Sequence, residues 1–349
     1  MANCSMASAK KAKNDEFYTQ LSDIENEVKH YKDQFRDKVV YLNCDDAEWS
    51  NFWVYFKLNF QHLGLKKLIA THYKEDRPSY KLVIDRDVDV NGDGVINEKD
   101  LKKVTLKQNG DFRSEESVEL LKEADIVVSN PPFSLFREYI AQLVEHGKKF
   151  LLIGNMNAIT YKEIFPLLKD NQVWLGVNNG AKTYELPSDT VLKGSEFEKD
   201  GKKYAKLGNT CWFTNLEHNK RRELVILYKN YTPEEYPDYD NYDAINVNKV
   251  KDIPIDYDGV MGVPITFLEK YNPNQFEIVA IGNSRDNFTP IKEYVNAKKV
   301  MKSGSIKNGN AINCVLAIEV DSKPDGTYYT SGNSGYLIAP YARILIRKK

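Results

Sequence analysis

Hydrophobic positions along the chain follow two periods. Ile24, Val28, Tyr31 and Phe35 fall at helical spacing, which predicts a helix over 21–36, and the apolar run Val39–Leu42 predicts a strand after it. Trp49, Phe52, Trp53, Phe56, Phe60 and Leu63 make a strong stripe on one predicted helix, which Gly64 ends. Leu68–Thr71 and Tyr80–Ile84 read as the next strands, and Val104–Leu106 leads into Gly110-Asp111-Phe112. Ser114, with Glu115 and Glu116, opens a helix through Lys122. Ile126–Val128, Phe150–Ile153 and Val173–Val177 are further strands, with helices over 134–146 and 160–169 between them. Ser134 is the expected cap of the first of these helices, Leu135, Tyr139 and Leu143 its apolar stripe, and Gly147 its stop. This alternation predicts an α/β fold with a doubly wound, mostly parallel sheet. Phe213 and Leu224–Leu227 read as an antiparallel pair at its edge.

The pattern changes at 230–258, where Tyr, Asp, Pro and Asn dominate and predict an irregular acidic linker. Beyond it, Phe276–Ile281, Asn313–Ile318 and Ile344–Ile346 are short β-like runs separated by turns. The expected organisation is a tail at 1–14, a main domain at 15–230, a linker at 231–258 and a smaller β-rich module at 259–349.

Composition changes this picture little. A chain of 349 residues, 42% hydrophobic and 28% charged, suits a soluble enzyme with ample core. A net charge of −1 does not announce a nucleic-acid binder, so any such contact needs local basic patches. Cys4, Cys44, Cys211 and Cys314 are scattered, which argues against a zinc site and for a reducing, cytoplasmic setting. The first residues lack the apolar centre of a signal peptide, and no run approaches the ~18 apolar residues of a membrane span.

The most specific chemistry lies in Asp125-Ile-Val-Val-Ser-Asn130-Pro131-Pro132-Phe133, an apolar strand ending in Asn-Pro-Pro-aromatic. Asn130 offers a side-chain carbonyl. Pro131 and Pro132 fix φ, and Pro132 has no N–H, so a stiff turn can present the Pro131 carbonyl outward. Two acceptors beside the flat ring of Phe133 suit an exocyclic amine on a planar base. Their pull on the two N–H bonds leaves a localised lone pair on that nitrogen, able to attack an activated methyl group. The plainer alternative is a strand-terminating turn with a core Phe. A strand–loop–helix setting favours a ligand, because open α/β sheets bind outside the carboxyl ends of their strands.

In these residues the chain resembles the EcoRI-type adenine-specific DNA methyltransferases, which use S-adenosylmethionine. The resemblance covers Asp15–Thr19, Val39–Asp46, Leu68–Tyr73, Gly110–Arg113, Ser129–Phe133 and Asn209–Thr214, in order over roughly the first two-thirds of the chain. It implies that a base leaves the duplex to reach the methyl donor. It implies that Asp111 accepts from the cofactor's adenine amine while Phe112 packs on that ring, and that Tyr18 and Thr19 fold over its methionine end. Asn43, with Asp45 or Asp46, sits where a carboxylate meets the methionine ammonium, although the usual Gly-rich loop is absent and Trp49 and Phe52 follow instead. Thr71 ends the second strand, with His72, Glu75 and Asp76 nearby, and no ribose-holding carboxylate stands out. Trp212 or Phe213 would give the base a second stacking face beside Phe133, with plain core burial as the alternative.

Lys220, Arg221 and Arg222 form one basic run and Lys298, Lys299 and Lys302 a second patch, each a candidate for double-stranded DNA or simply a solvated face. Asp89, Asn91, Asp93, Val95, Asn97 and Asp100, with Gly94 between them, match the ligand spacing of a structural calcium loop, or equally a metal-free turn. The expected function is methyl transfer to adenine N6 in a specific DNA sequence by a monomer. It would act beside a separately acting restriction endonuclease or as an orphan enzyme. An RNA base or a protein glutamine amide is the alternative substrate, and a calcium-stabilised binding module the non-enzymatic alternative.

Overall fold

The computed structural model describes residues 18–43, 47, 48, 50–73, 78–186, 190–192, 194, 196–283, 288–332 and 335–349. The chain divides into two compact units, Met1–Ala158 with Val173–His218, and Ile159–Gln172 with Asn219–Lys349.

The first unit begins with β1 (Tyr18–Thr19) and α1 (Leu21–Val28), which tightens into a 3-10 segment at Lys29–Gln34. β2 (Val39–Leu42), α2 (Asn51–Leu58), α3 (Phe60–Leu63), β3 (Lys67–Thr71), β4 (Tyr80–Asp85) and β5 (Lys102–Thr105) follow. Next come α4 (Glu115–Glu123), β6 (Ile126–Ser129), α5 (Phe136–Glu145) and β7 (Lys149–Asn155). β8 (Trp174–Leu175), β9 (Lys182–Leu186), β10 (Glu196–Lys199), β11 (Lys202–Leu207) and β12 (Thr210–Thr214) complete it.

Among the described residues, eight strands form one sheet in the order β5-β4-β3-β2-β6-β7-β12-β8. Its centre, β3-β2-β6-β7, is parallel, and both flanks are antiparallel. The mixed α/β class is as expected, with the parallel part confined to the middle. Every residue of β2 and of β6 is buried, as a strand covered on both faces requires. On one face Val40, Leu42, Val128 and Ile153 join Ile24, Phe52, Phe56 and Trp212 in a single core. On the other, Phe136 of α5 meets Phe213 at 5.0 Å. A smaller sheet, β1-β9-β11-β10, is wholly antiparallel.

Several boundaries differ from the periodicity, each for a local reason. The stripe at 49–63 is two helices, because Asn59 leaves helical geometry and its side-chain amide donates to the Tyr55 carbonyl at 2.9 Å. Gly64, at φ 65°, ends the second helix as expected. α5 starts at Phe136 without a side-chain cap, so Ser134 is not its cap: Leu135 N–H donates to the Pro132 carbonyl at 2.9 Å and spends those residues on a turn. β8 stops at Leu175 because the buried Glu27 carboxylate accepts from Val177 N–H at 2.8 Å and Asn178 N–H at 2.7 Å. Leu224–Leu227 is not the partner of Phe213. β12 pairs with β7 and β8, while the Gln275 side chain brackets the Val225 backbone with two 2.8 Å hydrogen bonds and Leu224 and Ile226 stay exposed.

The second unit contains α6 (Phe165–Lys169) and two five-stranded sheets. One is built from β13 (Asp238–Tyr239), β14 (Tyr242–Asn246), β15 (Met261–Pro264), β16 (Phe276–Ile281) and β22 (Arg343–Lys348). The other uses β17 (Lys298–Val300), β18 (Ile306–Asn308), β19 (Ile318–Val320), β20 (Tyr328–Thr330) and β21 (Tyr336–Ile338). Residues 231–258, expected as a linker, carry β13 and β14 of the first sheet. Tyr236 and Tyr239 there are buried and hydrogen-bonded, to Asp252 O and Asn246 Oδ1, each at 2.8 Å. Tyrosines that pack their rings and satisfy their hydroxyls make a core from a composition that resembles a loop.

Candidate active site

Strand order reverses between β2 and β6: β2 runs on to β3 on one side, and β6 to β7 on the other. The crevice outside the carboxyl ends of these two strands is where an open α/β sheet binds ligands. β2 ends at Leu42, just before Asn43, and β6 at Ser129, just before Asn130. The Ser129 hydroxyl donates to the Asn43 carbonyl and ties the two ends together. Leu42, Asn43, Ser50, Ala70, Val128 and Ser129 line a small recess at this point.

The elbow Asn130–Phe133 leaves the sheet here. Pro131 is buried, whereas Asn130, Pro132 and Phe133 are half-buried, with Phe133 packed against the rim of the large core. The turn closes through Pro132, whose carbonyl accepts from Leu135. Phe133 thus stands beyond a strand end rather than inside the sheet.

Asp111 and Phe112 reach the same end of the sheet. Gly110 has φ 79°, and a Cβ there would lie 2.1 Å from the His72 carbonyl, so this glycine lets the 110–112 turn press against the end of β3. Phe112 is 5% exposed and meets Tyr139 edge-on at 5.1 Å, and the Tyr139 hydroxyl donates to Asn43 Oδ1. Tyr139 therefore joins the Asp-Phe turn to the end of β2. Both oxygens of Asp111 accept from Arg113, at 2.8 Å from Nε and 2.7 Å from Nη2. That guanidinium holds the carboxyl below the usual aspartate range and keeps it ionised.

The N-terminal segment also lies at this face. The α2 residue Asn51 donates to the Thr19 carbonyl at 2.7 Å, and Ser50 caps α2 by accepting from Phe52 N–H at 3.1 Å. Thr19 is 2% exposed, and its hydroxyl has no hydrogen-bond partner among the described residues. An unsatisfied buried hydroxyl costs ~1–3 kcal/mol, which a polar ligand group would relieve. Tyr18 is described only through its backbone, paired with Glu185. Asp45 and Asp46 lie outside the described residues, as do Trp49, Glu75 and Asp76.

Other expected site residues are elsewhere. Thr71 is 1% exposed and hydrogen-bonded to the Tyr41 hydroxyl at 3.0 Å, so it faces the interior and not a ligand. Trp212 and Phe213 are fully buried in the middle of β12, Trp212 against Phe52 at 6.2 Å and Phe213 against Phe136, so neither offers a face to a base. Arg221 is 8% exposed and donates to Asn171 Oδ1, which makes it structural, whereas Lys220 and Arg222 share its 3-10 turn. Lys298 and Lys299 lie on β17, with Lys299 5.5 Å over the Tyr329 ring.

Nothing among the described residues supports the calcium reading of 89–100. Asp89 accepts from Gly92 and Gly94 N–H at 2.6 and 2.8 Å, and Asp93 from Val95 at 2.8 Å. Asp100 accepts from Val90 at 2.8 Å and, in a capping box, from Asn97 at 2.9 Å. The carboxylates serve the loop's own backbone, and among the described residues no group of three or more His, Cys, Asp or Glu side chains is placed to hold a metal ion.

Sequence reasoning missed Tyr139, read only as part of an apolar stripe, and the tie from Ser129. A hydroxyl on an otherwise apolar helix face, one turn beyond the elbow, was the available signal for the former.

The family model described as adenine-specific methyltransferase EcoRI matches residues 5–349. The Type II methyltransferase M.EcoRI of Escherichia coli is 49% identical over 297 residues, covering 78% of this chain and 87% of its own length. M.MgeORF184P of Mycoplasma genitalium is 42% identical over 311 residues, covering 86% and 93%, and M.MpnI of Mycoplasma pneumoniae is 45% identical over 278, covering 78% and 83%. No solved structure matches. With a family model spanning nearly all of its length and relatives this similar, the chain belongs to the EcoRI family of adenine-specific methyltransferases.

Proposed function

We propose that this enzyme transfers a methyl group from S-adenosylmethionine to N6 of an adenine turned out of a specific double-stranded DNA sequence. The observation that carries the reading is the elbow Asn130–Phe133 at the reversal point of the sheet, tied through Ser129 to the end of β2. We read the first unit as a doubly wound class I methyltransferase domain and the second as the module that recognises the DNA sequence. Lys220, Arg222, Lys298 and Lys299 are its candidate phosphate or base contacts. The enzyme would act in the cytoplasm as a monomer, either beside a separate restriction endonuclease or alone.

The residues fit the cofactor. The unpartnered Thr19 hydroxyl would meet a polar group of its methionine end. The turn at Asp111 and Phe112 suits its adenine, with Arg113 yielding one Asp111 oxygen to the incoming amine. When bound, the cofactor supplies an electrophilic methyl group.

The chain's own residues prepare the nucleophile. Phe133 stacks on the extruded base and offsets part of the unstacking cost, which is a few kcal/mol. Asn130 Oδ1 and the Pro131 carbonyl accept the two N6–H bonds and draw that nitrogen toward tetrahedral geometry. Positive charge develops there, and these fixed dipoles stabilise it most in the transition state. The amine proton leaves afterwards to solvent, so no strongly shifted general base is needed.

Incubating the purified chain with the cofactor and mixed-sequence DNA, then separating nucleosides by mass, should yield N6-methyldeoxyadenosine. Label in RNA or in a glutamine peptide, with none in DNA, would refute the reading.

A further inference from the structure

The small sheet β1-β9-β11-β10 has two unlike faces, and its outer face has no role so far. β11 pairs with β9 so that Tyr204 lies opposite Glu185 and Ala205 opposite Tyr184, and β10 pairs with β11 so that Phe197 lies opposite Tyr204 and Lys199 opposite Lys202. Side chains alternate along a strand. One face therefore holds Thr19, Tyr184, Leu186 and Ala205, all buried. The other holds Phe197, Lys199, Lys202, Tyr204 and Lys206. The three lysines there are exposed, and the two rings are stacked at 5.6 Å with 26° between their planes. Asp200 and Gly201, at φ 53° and 74°, make the tight two-residue turn that fixes this register.

We infer that this hairpin, Glu196–Leu207, is a DNA-contacting ribbon whose lysines Lys199, Lys202 and Lys206 lie along the phosphate backbone. The inference rests on the proposed DNA substrate. A chain with net charge −1 can hold a polyanion only through local basic surfaces, and this one concentrates three lysines on one exposed face. Glu185, the carboxylate on that face, is ion-paired to Lys202 at 3.0 Å. An exposed pair of this kind is worth little and exchanges readily for a phosphate. Lys202 and Lys206 are about 13 Å apart along the strand, close to the rise of roughly four nucleotides. The same sheet carries Thr19 on its inner face, so the ribbon and the cofactor segment share one rigid frame.

The test compares the full chain with Lys199→Ala/Lys202→Ala/Lys206→Ala. DNA affinity is measured against salt concentration, with kcat, KM for DNA and calorimetric cofactor binding alongside. Each phosphate contact contributes about 0.9 to the slope of log affinity on log salt, so the triple variant should lower that slope by about 2–3. KM for DNA should rise by roughly tenfold or more, with kcat and cofactor affinity unchanged. A matched triple at exposed lysines elsewhere, Lys66→Ala/Lys99→Ala/Lys122→Ala, should leave the slope unaltered. Single Lys199→Gln and Lys206→Gln variants, each expected to remove about one unit of slope, read the same effect should the triple lose stability. An unchanged slope in the ribbon variants, or an equal loss in the matched triple, overturns the ribbon while leaving DNA methylation intact. Failure of the wild-type chain to bind or methylate DNA overturns both.

Discussion

Two aromatic motifs that look alike in sequence, Asn-Pro-Pro-Phe at 130–133 and Asn-Thr-Cys-Trp-Phe-Thr at 209–214, have opposite fates in the fold. Phe133 lies beyond Ser129, the last residue of β6, in a segment whose prolines forbid further pairing, and it is half-buried. Trp212 and Phe213 sit inside β12, whose residues pair with β7 along the strand and with β8 at Phe213 and Thr214. Both faces of β12 are covered, and both rings disappear into the core. Here the aromatic past the strand end keeps an accessible face, while those within a strand covered on both faces do not. Residue type proposes stacking, and register decides it.

Alanine substitutions separate the two motifs. The largest effect is expected at Trp212→Ala, which removes a fully buried indole and should cost about 3–5 kcal/mol, read by urea denaturation. Any loss of activity should then follow the unfolded fraction. Phe133→Ala should leave the denaturation midpoint much closer to wild type while reducing kcat/KM by the worth of one stacked base, ~1–3 kcal/mol or about 5- to 150-fold, with Phe133→Tyr restoring most of it. If both variants unfold alike, the contrast between strand end and strand interior is wrong. The smallest effect concerns the neighbouring turn. Arg113 lowers the Asp111 carboxyl below its unfolded value, so the stabilisation is complete above about pH 4 and is lost as pH falls through the folded value. Asp111→Asn should therefore cost up to about 1 kcal/mol at neutral pH, since this pair is partly exposed, and the gap to wild type should close in acid. A gap that widened on acidification would contradict the pairing.

The parallel centre of the sheet was legible because β2, β3, β6 and β7 are short apolar runs separated by helical periodicity. The elbow was legible because its prolines leave little conformational choice. The antiparallel flanks were less so, since β5 alternates no apolar face and β8 is only two residues long. Residues 231–258 were misread because tyrosines that bury their rings and bond their hydroxyls share the composition of a loop. The calcium spacing at 89–100 was real, but the structure lends it no support, and its carboxylates accept backbone N–H bonds that also hold a metal-free turn. Thr71 and Arg221 went astray for one reason: each finds a side-chain partner, Tyr41 and Asn171, that is distant in sequence. Tyr139 shows the reverse, a stripe residue whose hydroxyl reaches across the switch point.

In the proposed reaction the elbow grips the target amine and not the methyl donor. Asn130→Ala, assayed side by side for calorimetric cofactor affinity and for methyl transfer at saturating DNA, tests it most directly. Cofactor affinity within about threefold of wild type, with turnover lowered by roughly 10²–10³, is the predicted result. Parallel loss of both, or turnover near wild type, would contradict it.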